Sequence, residues 1–459
     1  MIFEDIIRSR KDYLFTNKAL FWLFIPLVVE QALEFFVGFA DSVMVASLGE
    51  IAISGVSLVD FLMQLLIFGF SALATGGAVI AGQYLGDKQI KLACESSDQL
   101  IWFSAILSVI MMVAVLIFRE FLINTLFGQV EMEVWNIANL YLMIVATSIP
   151  FIAIYNAGAA IFRTTGDSYL PMKIMFFCDI INIIGNAVCI YYLHTGVEGV
   201  AIPTVISRLI ACVVILYLIV DEKYMLHIKK TLRYRFNWKI LKSVLNVGIP
   251  YGVENGMFQL GRILVLSLVS TFGTIAIAAN SVGLAIAVFQ VLPGFGINLG
   301  MAVVISRCVG ANRFDQAKYY TKKILFIVYV SHFIVNILIV VLLPMLLGIY
   351  QLSSATSSLA AELIIWHGVF SVTIWPIAFT LPGTFRGAGD AKFPMYVSVS
   401  VMFICRIGFA YLLTWYCHTD VLGTWIAMFI DWFVRSGFYV YRYFSGKWKE
   451  YRAIDNSLI

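Results

Sequence analysis

Twelve separate runs of mainly apolar residues, each as long as a membrane-crossing helix, decide what this 459-residue chain can fold into. They lie near 21–46, 53–82, 99–118, 137–162, 172–193, 199–220, 243–270, 275–305, 324–349, 360–382, 394–416 and 421–442. A helical span needs roughly 20 such residues, because all of its backbone hydrogen bonds must close within the segment. The expected fold is an all-α membrane protein with twelve transmembrane helices. Composition agrees, since 13% of residues are charged, against about 25% in a soluble domain. The seven cysteines are scattered and form no CxxC pair, so they read as small buried hydrophobes rather than ligands or disulfide partners. A basic stretch (Arg8, Arg10, Lys11, Lys18) precedes the first run. That run contains Glu30, Glu34 and Asp41 and lacks an A-x-A site, so it reads as a retained span rather than a signal peptide.

Positive charge sets the orientation. Lysines and arginines gather at the N-terminus and in the even-to-odd loops. Loop 2–3 has Lys88 and Lys91, loop 4–5 Arg163 and Lys173, and loop 8–9 Arg307, Arg313, Lys318, Lys322 and Lys323. Loop 10–11 has Arg386 and Lys392, and the tail Arg442, Lys447, Lys449 and Arg452. Loop 6–7 is the richest, with Lys223, Lys229, Lys230, Arg233, Arg235, Lys239 and Lys242. The opposite side has Arg119 alone. Both termini are therefore expected in the cytoplasm, and the protein in the cell (inner) membrane as a multi-pass chain.

The two halves repeat. Pro26 and Glu30 match Pro250 and Glu254, and Gly49 matches Gly273, all at an offset of 224. "FRTTGDSYLPM" from Phe162 answers "FRGAGDAKFPM" from Phe385 at 223. Each half has an even number of spans, so the repeat is parallel. The reading is two six-helix lobes related by a pseudo-twofold axis along the membrane normal, enclosing a central cleft that opens alternately to either side. The expected domains are an N-terminal lobe at 1–220, a cytoplasmic linker at 221–242, a C-terminal lobe at 243–442 and a cytoplasmic tail at 443–459. Trp238 and the basic residues of the linker are expected to rest on the anionic inner leaflet.

Acids within spans are expensive, at about 2.5–3.5 kcal/mol each on insertion scales, and need a reason. Glu30, Glu34 and Asp41 are spaced by four and seven, which keeps them on one helical face. Closely spaced carboxylates in low dielectric do not all stay ionised, so one is expected to hold a proton. Glu254 repeats Glu30, and each lies one turn after a proline that removes a backbone hydrogen bond. The candidates for proton or cation binding are Asp41, Glu30, Glu34 and Glu254. The structural alternative pairs these acids with a buried arginine such as Arg262, Arg406 or Arg435. Asn182 and Asn186, four apart on span 5, and Thr204 on span 6 fit either a cation's oxygen shell or helix–helix hydrogen bonding. Asp179 reads as a polar flank, Asp431 and Arg435 as an internal ion pair, and His332 and His367 as packing residues. Asn255, Gln259, Asn280 and Gln290 are candidates to line a substrate cavity. In Arg163-x-x-Gly166-Asp167 and Arg386-x-x-Gly389-Asp390, the glycine permits a tight turn and the aspartate caps the next helix. The expected role of this motif is to lock the cytoplasmic ends of each lobe.

Together these residues resemble the multidrug and toxic compound extrusion (MATE) family. The resemblance covers nearly the whole chain. It rests on the twin "FR..GD....PM" loops, "FADSVMVASLG" in span 1, "GIPYGVE" opening span 7, and "GTWIAMFIDWFVRSGFYVYRYFSGKW" at the end. It implies a secondary antiporter exporting small organic, often cationic, amphipathic compounds against entry of H⁺ or Na⁺. In the family's DNA-damage-inducible branch the coupling-ion aspartate of span 1 matches Asp41. An Asn and an Asp on span 5 and a threonine on span 6 match Asn182, Asn186 and Thr204, and Asn186 departs from the branch's carboxylate. The only metal implied is Na⁺ at these four residues. Another branch uses a glutamate matching Glu254 together with a span 10 aspartate, and span 10 here has Glu362 and no aspartate. No cofactor is expected. The expected partners are a small-molecule substrate and membrane lipid, without nucleic acid, and the chain is expected to be a monomer.

The competing reading within the superfamily is a lipid-linked precursor flippase, which usually has further spans and a strongly cationic cavity. A major facilitator transporter usually carries a different loop 2–3 signature from "GQYLGDKQIKLA". An intramembrane enzyme is disfavoured, since no GxSxG, HExxH or paired-aspartate motif sits in a suitable context.

Overall fold

The computed structural model describes residues 13–127, 131–230 and 236–454. Arg8, Arg10, Lys11, Arg233 and Arg235, used above for orientation, lie outside these residues. The described elements are all helices. They divide into two compact units. One holds Asn17–Gly252 with Ile454; the other holds Val253–Ala453 with the described residues up to Thr16. The division falls within a single helix, between Gly252 and Val253.

The N-terminal unit contains α1 (Asn17–Ala46), α2 (Glu50–Gly86), α3 (Ile90–Ile117), the short α4 (Arg119–Phe127), α5 (Met132–Ala146), α6 (Ile149–Thr165), α7 (Tyr169–Ala187) and α8 (Glu198–Ile219). A π-helical turn, Val188–Tyr192, prolongs α7. Helix α2 packs on α3, α5 and α6, α1 on α7, and α7 on α8. Val59, Met63, Leu142, Val145 and Ile149 form part of the shared apolar core.

Helix α9 (Trp238–Val269) starts five residues before its expected bound and passes into the C-terminal unit. There follow α10 (Thr274–Gly310), α11 (Phe314–Ile349), α12 (Ser354–Thr373), α13 (Pro382–Ala388), α14 (Lys392–Val401), α15 (Phe409–Cys417) and α16 (Val421–Ser445). π-Helical turns precede α13 (Pro376–Thr380) and join α14 to α15 (Met402–Gly408). Helix α10 packs on α11, α12 and α13.

Among the described residues, nine helices are long and apolar enough to cross a membrane, and α5 with α6 adds a tenth as a pair bent by 47°. The expected unbroken span at 137–162 is therefore corrected to two helices. Ser148 and Pro150 sit at the break, where proline cannot donate to the previous turn. The span expected at 360–382 is likewise interrupted, because Pro376 and Pro382 each restart the helix. Helices α9 and α16 occupy the seventh and twelfth expected spans and carry the ionic groups described below.

Apolar side chains on the outside recur at helical spacing. On α3, Ile106, Val109, Ile110, Val113 and Ile117 are exposed, as are Phe333, Ile337, Val340 and Val341 on α11. Continuous stripes of this kind need an apolar surrounding, which hydrocarbon supplies.

Candidate functional site

The twin loop motif has the same local geometry in each unit. Gly166 closes α6 at φ +98° and Gly389 closes α13 at φ +104°, a left-handed conformation that only glycine adopts without strain. Asp167 Oδ1 accepts from the amides of Tyr169 and Leu170 at 3.0 and 3.1 Å, capping α7 as expected. Asp390 is also held by Arg442 at 2.8 Å. Burial pushes the Asp390 carboxyl above its ordinary range, against the pull of that guanidinium.

The motif arginines do more than close the turn. Arg163, in the last turn of α6, donates to Glu30 of α1 at 2.5 Å, and both side chains are largely buried. Arg386, in the last turn of α13, donates to both carboxylate oxygens of Glu254 on α9 at 3.0 and 3.1 Å. The structural alternative for these glutamates is thus realised, with a correction. Their partners are Arg163 and Arg386, not Arg262, Arg406 or Arg435. Four residues repeated at offsets of 224 and 223 form two equivalent ion pairs.

Around the first pair, the N-terminal unit gathers acids. Asn186 Nδ2 donates to Asp41 Oδ1 at 2.7 Å and to Asn182 Oδ1 at 3.3 Å. Asn182 Nδ2 donates to Thr204 Oγ1 at 3.0 Å. The four residues that the resemblance grouped are therefore contiguous, bringing α1, α7 and α8 together. Asn182 and Asn186 are buried and Asp41 is half-buried. Asn186 Oδ1 is buried and has no hydrogen-bond partner. Glu34 is exposed and accepts from Gln31 at 3.0 Å.

Two residues missed in the sequence, and one read as a polar flank, extend this cluster. Asp60 on α2 accepts from Tyr141 of α5 at 3.3 Å. Arg208 on α8 donates to Ser148 at 2.8 Å and lies within electrostatic reach of Asp41, Asp60 and Glu34. Asp179, expected as a flank, is within reach of Glu34, Asp41 and Glu30. Five carboxylates thus face two guanidiniums. Asp60 and Arg208 were visible as single charges interrupting the apolar runs "VSLVDFLMQ" and "VISRLIACV".

The C-terminal unit is arranged differently. Glu254 also accepts from Ser398 at 2.6 Å, and Ser398 bonds Tyr439 at 2.8 Å. Arg435 holds Asp431 at 2.9 Å, the expected pair. Here Glu254, Asp431 and Asp390 each have their own arginine. Of the cavity candidates, Asn255 is half-buried, and Gln259 is buried and accepts from Arg262 at 3.3 Å. Asn280 and Gln290 are also buried within the unit. Asn280 accepts from Trp425 at 2.9 Å, and Gln290 bonds His367 at 2.6 Å and the carbonyl of Ile364 at 3.0 Å. Trp425 and His367 lie on α16 and α12, so these amides take part in helix–helix contacts. His332 bonds the Ser371 carbonyl at 2.9 Å, in keeping with a packing role.

Comparison with known proteins places this architecture. The MatE family model matches residues 26–188 and again 250–412, two stretches whose starts are 224 apart, as are the repeated prolines. The chain belongs to the MATE family. It is 28% identical over 447 residues to the uncharacterized transporter YisQ of Bacillus subtilis (strain 168), covering 95% of each chain. It is 24% identical over 445 residues to the probable multidrug resistance protein NorM of Thermotoga maritima, covering 95% of this chain and 94% of that one. The outward-facing conformation of a multidrug resistance MATE family transporter of the MOP superfamily superposes with a TM-score of 0.87 at 22% identity, covering 94% and 96% of the two chains. A crystal structure of MATE in the bent conformation gives 0.86 at 22% identity, covering 95% and 96%. This MATE protein therefore has the family's all-helical fold in two lobes, and it is a multi-pass membrane transporter.

Proposed function

We propose that this MATE protein is a secondary active antiporter of the DNA-damage-inducible type, exporting small amphipathic organic cations in exchange for H⁺. The lobes are the proposed moving parts of alternating access, with 1–220, 221–242, 243–442 and 443–459 as their functional divisions. The cell membrane is the proposed location, with both termini cytoplasmic, and the monomer is the proposed working unit.

One observation carries the coupling ion. In the Asp41 cluster, Asn186 spends its amide hydrogens on Asp41 and Asn182, so two oxygens that would ligate a cation are already accepting N–H bonds. A carboxylate at position 186 would offer oxygens instead. The surplus of acids over arginines nearby leaves a carboxyl free to carry a proton. Asp41 is the proposed carrier, with Asn182, Asn186 and Thr204 holding it and Glu34 and Asp179 sharing the charge. Glu30 and Glu254, being paired to arginines, are proposed as positioning groups.

Na⁺ is the second reading, favoured by the unpartnered Asn186 Oδ1. Rotating that amide by half a turn would present its oxygen to the cluster. Efflux of ethidium from proteoliposomes, driven by a pH gradient alone or a Na⁺ gradient alone, separates the two. Efflux under the pH gradient only is expected. Efflux under the Na⁺ gradient only would move the assignment to Na⁺, and equal efflux with neither gradient would overturn antiport.

A further inference from the structure

Two arginines near one another in the membrane-crossing segments of the C-terminal unit, Arg262 and Arg406, form no salt bridge among the described residues. Arg406 is 8% exposed and projects from the π-helical turn Met402–Gly408. Among the described residues neither it nor Arg262 has a carboxylate within ion-pair distance. The acid that most affects Arg406 is Asp431, and Asp431 is already held by Arg435 at 2.9 Å. The Arg406 guanidinium lies 5.2 Å from the centre of the Phe258 ring, and its Nε is buried without a hydrogen-bond partner. Arg262 is within electrostatic reach of it. Like charges this close, within membrane-crossing segments, are unfavourable unless an anion lies between or beside them.

The surrounding surface is built for such a ligand. On α9, Asn255, Gln259 and Arg262 recur at steps of four and three and so form one polar face. The opposite face carries the exposed apolar residues Val253, Leu260 and Leu264, which suit lipid. Gly261 allows Met402 to pack directly against α9, since a Cβ there would overlap the Met402 side chain. The π turn is thereby held against the polar helix. π-Helical turns inside α-helices are frequent at functional sites, where the extra residue re-aims a side chain. A planar guanidinium is matched to phosphate, sulfonate or carboxylate oxygens, which it binds in a forked pair.

The geometry points to an anion-binding site in the C-terminal unit, where Arg406, Arg262, Gln259 and Asn255 take the acidic headgroup of an amphipathic molecule. Phe258 backs the Arg406 guanidinium and leaves its outer N–H groups for the ligand. The site belongs to a different unit from the Asp41 cluster and takes the opposite charge. The headgroup belongs either to a transported amphiphile or to a resident anionic lipid.

The test reads binding rather than transport, so its outcome is independent of the antiport assignment. The full chain, purified in neutral maltoside detergent, is unfolded thermally with dodecyl phosphate, dodecyltrimethylammonium, phosphatidylglycerol or phosphatidylcholine. Dodecyl phosphate is expected to raise the midpoint by a few degrees, as a ligand specific to the folded state does. Dodecyltrimethylammonium is expected not to. The double variant Arg262→Gln/Arg406→Gln loses the shift, and Arg406→Lys keeps part of it. Arg262→Gln, on an exposed side chain, covers the case in which the double variant does not fold, and should weaken the apparent affinity about tenfold. A shift from phosphatidylglycerol alone, removed by the same substitutions, supports the site and assigns it to lipid. No shift from either anion, or a shift unchanged in Arg262→Gln and the double variant, overturns it.

Discussion

In the N-terminal unit Glu30 and Arg163 meet at 2.5 Å; in the C-terminal unit Glu254 and Arg386 meet at 3.0 Å. Each glutamate follows a proline by four residues, and each arginine opens an R-x-x-G-D motif. Beyond that shared element the units diverge. The first surrounds its pair with Glu34, Asp41, Asp60 and Asp179 and a single further arginine, Arg208. The second gives Glu254, Asp431 and Asp390 an arginine each and leaves Arg262 and Arg406 outside these pairs. Duplication preserved the pair that ties a kinkable helix to a turn, while the charge around it took opposite signs. A structural element is kept where both copies need it. Under the proposed mechanism, a titrating cluster is needed in only one.

Breaking the shared element should have the largest effect. Arg386→Met leaves Glu254 buried without its guanidinium, and losing one partner of a buried pair costs about 3–5 kcal/mol. Arg163→Met should destabilise by a similar amount, measured by denaturant unfolding in detergent. Adding Glu30→Gln to Arg163→Met, or Glu254→Gln to Arg386→Met, should recover part of the loss in a double-mutant cycle. A zero coupling energy in either unit would end the equivalence of the two pairs.

Substitution at the point of divergence should act on function instead. Asp41→Asn is expected to abolish gradient-driven ethidium efflux while the unfolding midpoint stays nearly constant, because Asp41 is half-buried and its one bond, to Asn186, survives in amide form. The smallest expected effect is Asn186→Asp. It replaces an NH2 group, with its two N–H donors, by one acceptor oxygen, and should add sensitivity to a Na⁺ gradient, read in the same efflux assay.

Much of this was legible in the sequence because it follows from local rules. Twelve apolar runs announce helices whatever their packing, and Glu30, Glu34 and Asp41 share a face through spacing alone. Asn182 and Asn186 likewise point the same way from α7. Pairings between distant segments are not local. Arg163 and Glu30 are 133 residues apart, and spacing says nothing about which arginine reaches which acid. The repeat did hold the answer, since proline, glutamate and arginine recur together. The motif arginines, however, read as loop residues, whereas the last helical turn carries them into the unit. The break at Ser148 and the π turns at Pro376 and Met402 were likewise hidden. A proline marks where a helix can bend, but the surrounding packing decides whether it does.

Ion coupling residing in the N-terminal unit is tested most directly by efflux from proteoliposomes containing equal amounts of folded Asp41→Asn or Glu254→Gln protein, with and without a pH gradient. The prediction is that Asp41→Asn loses gradient dependence, whereas Glu254→Gln retains it despite a lower folded yield. Gradient dependence lost in Glu254→Gln and kept in Asp41→Asn would contradict the account.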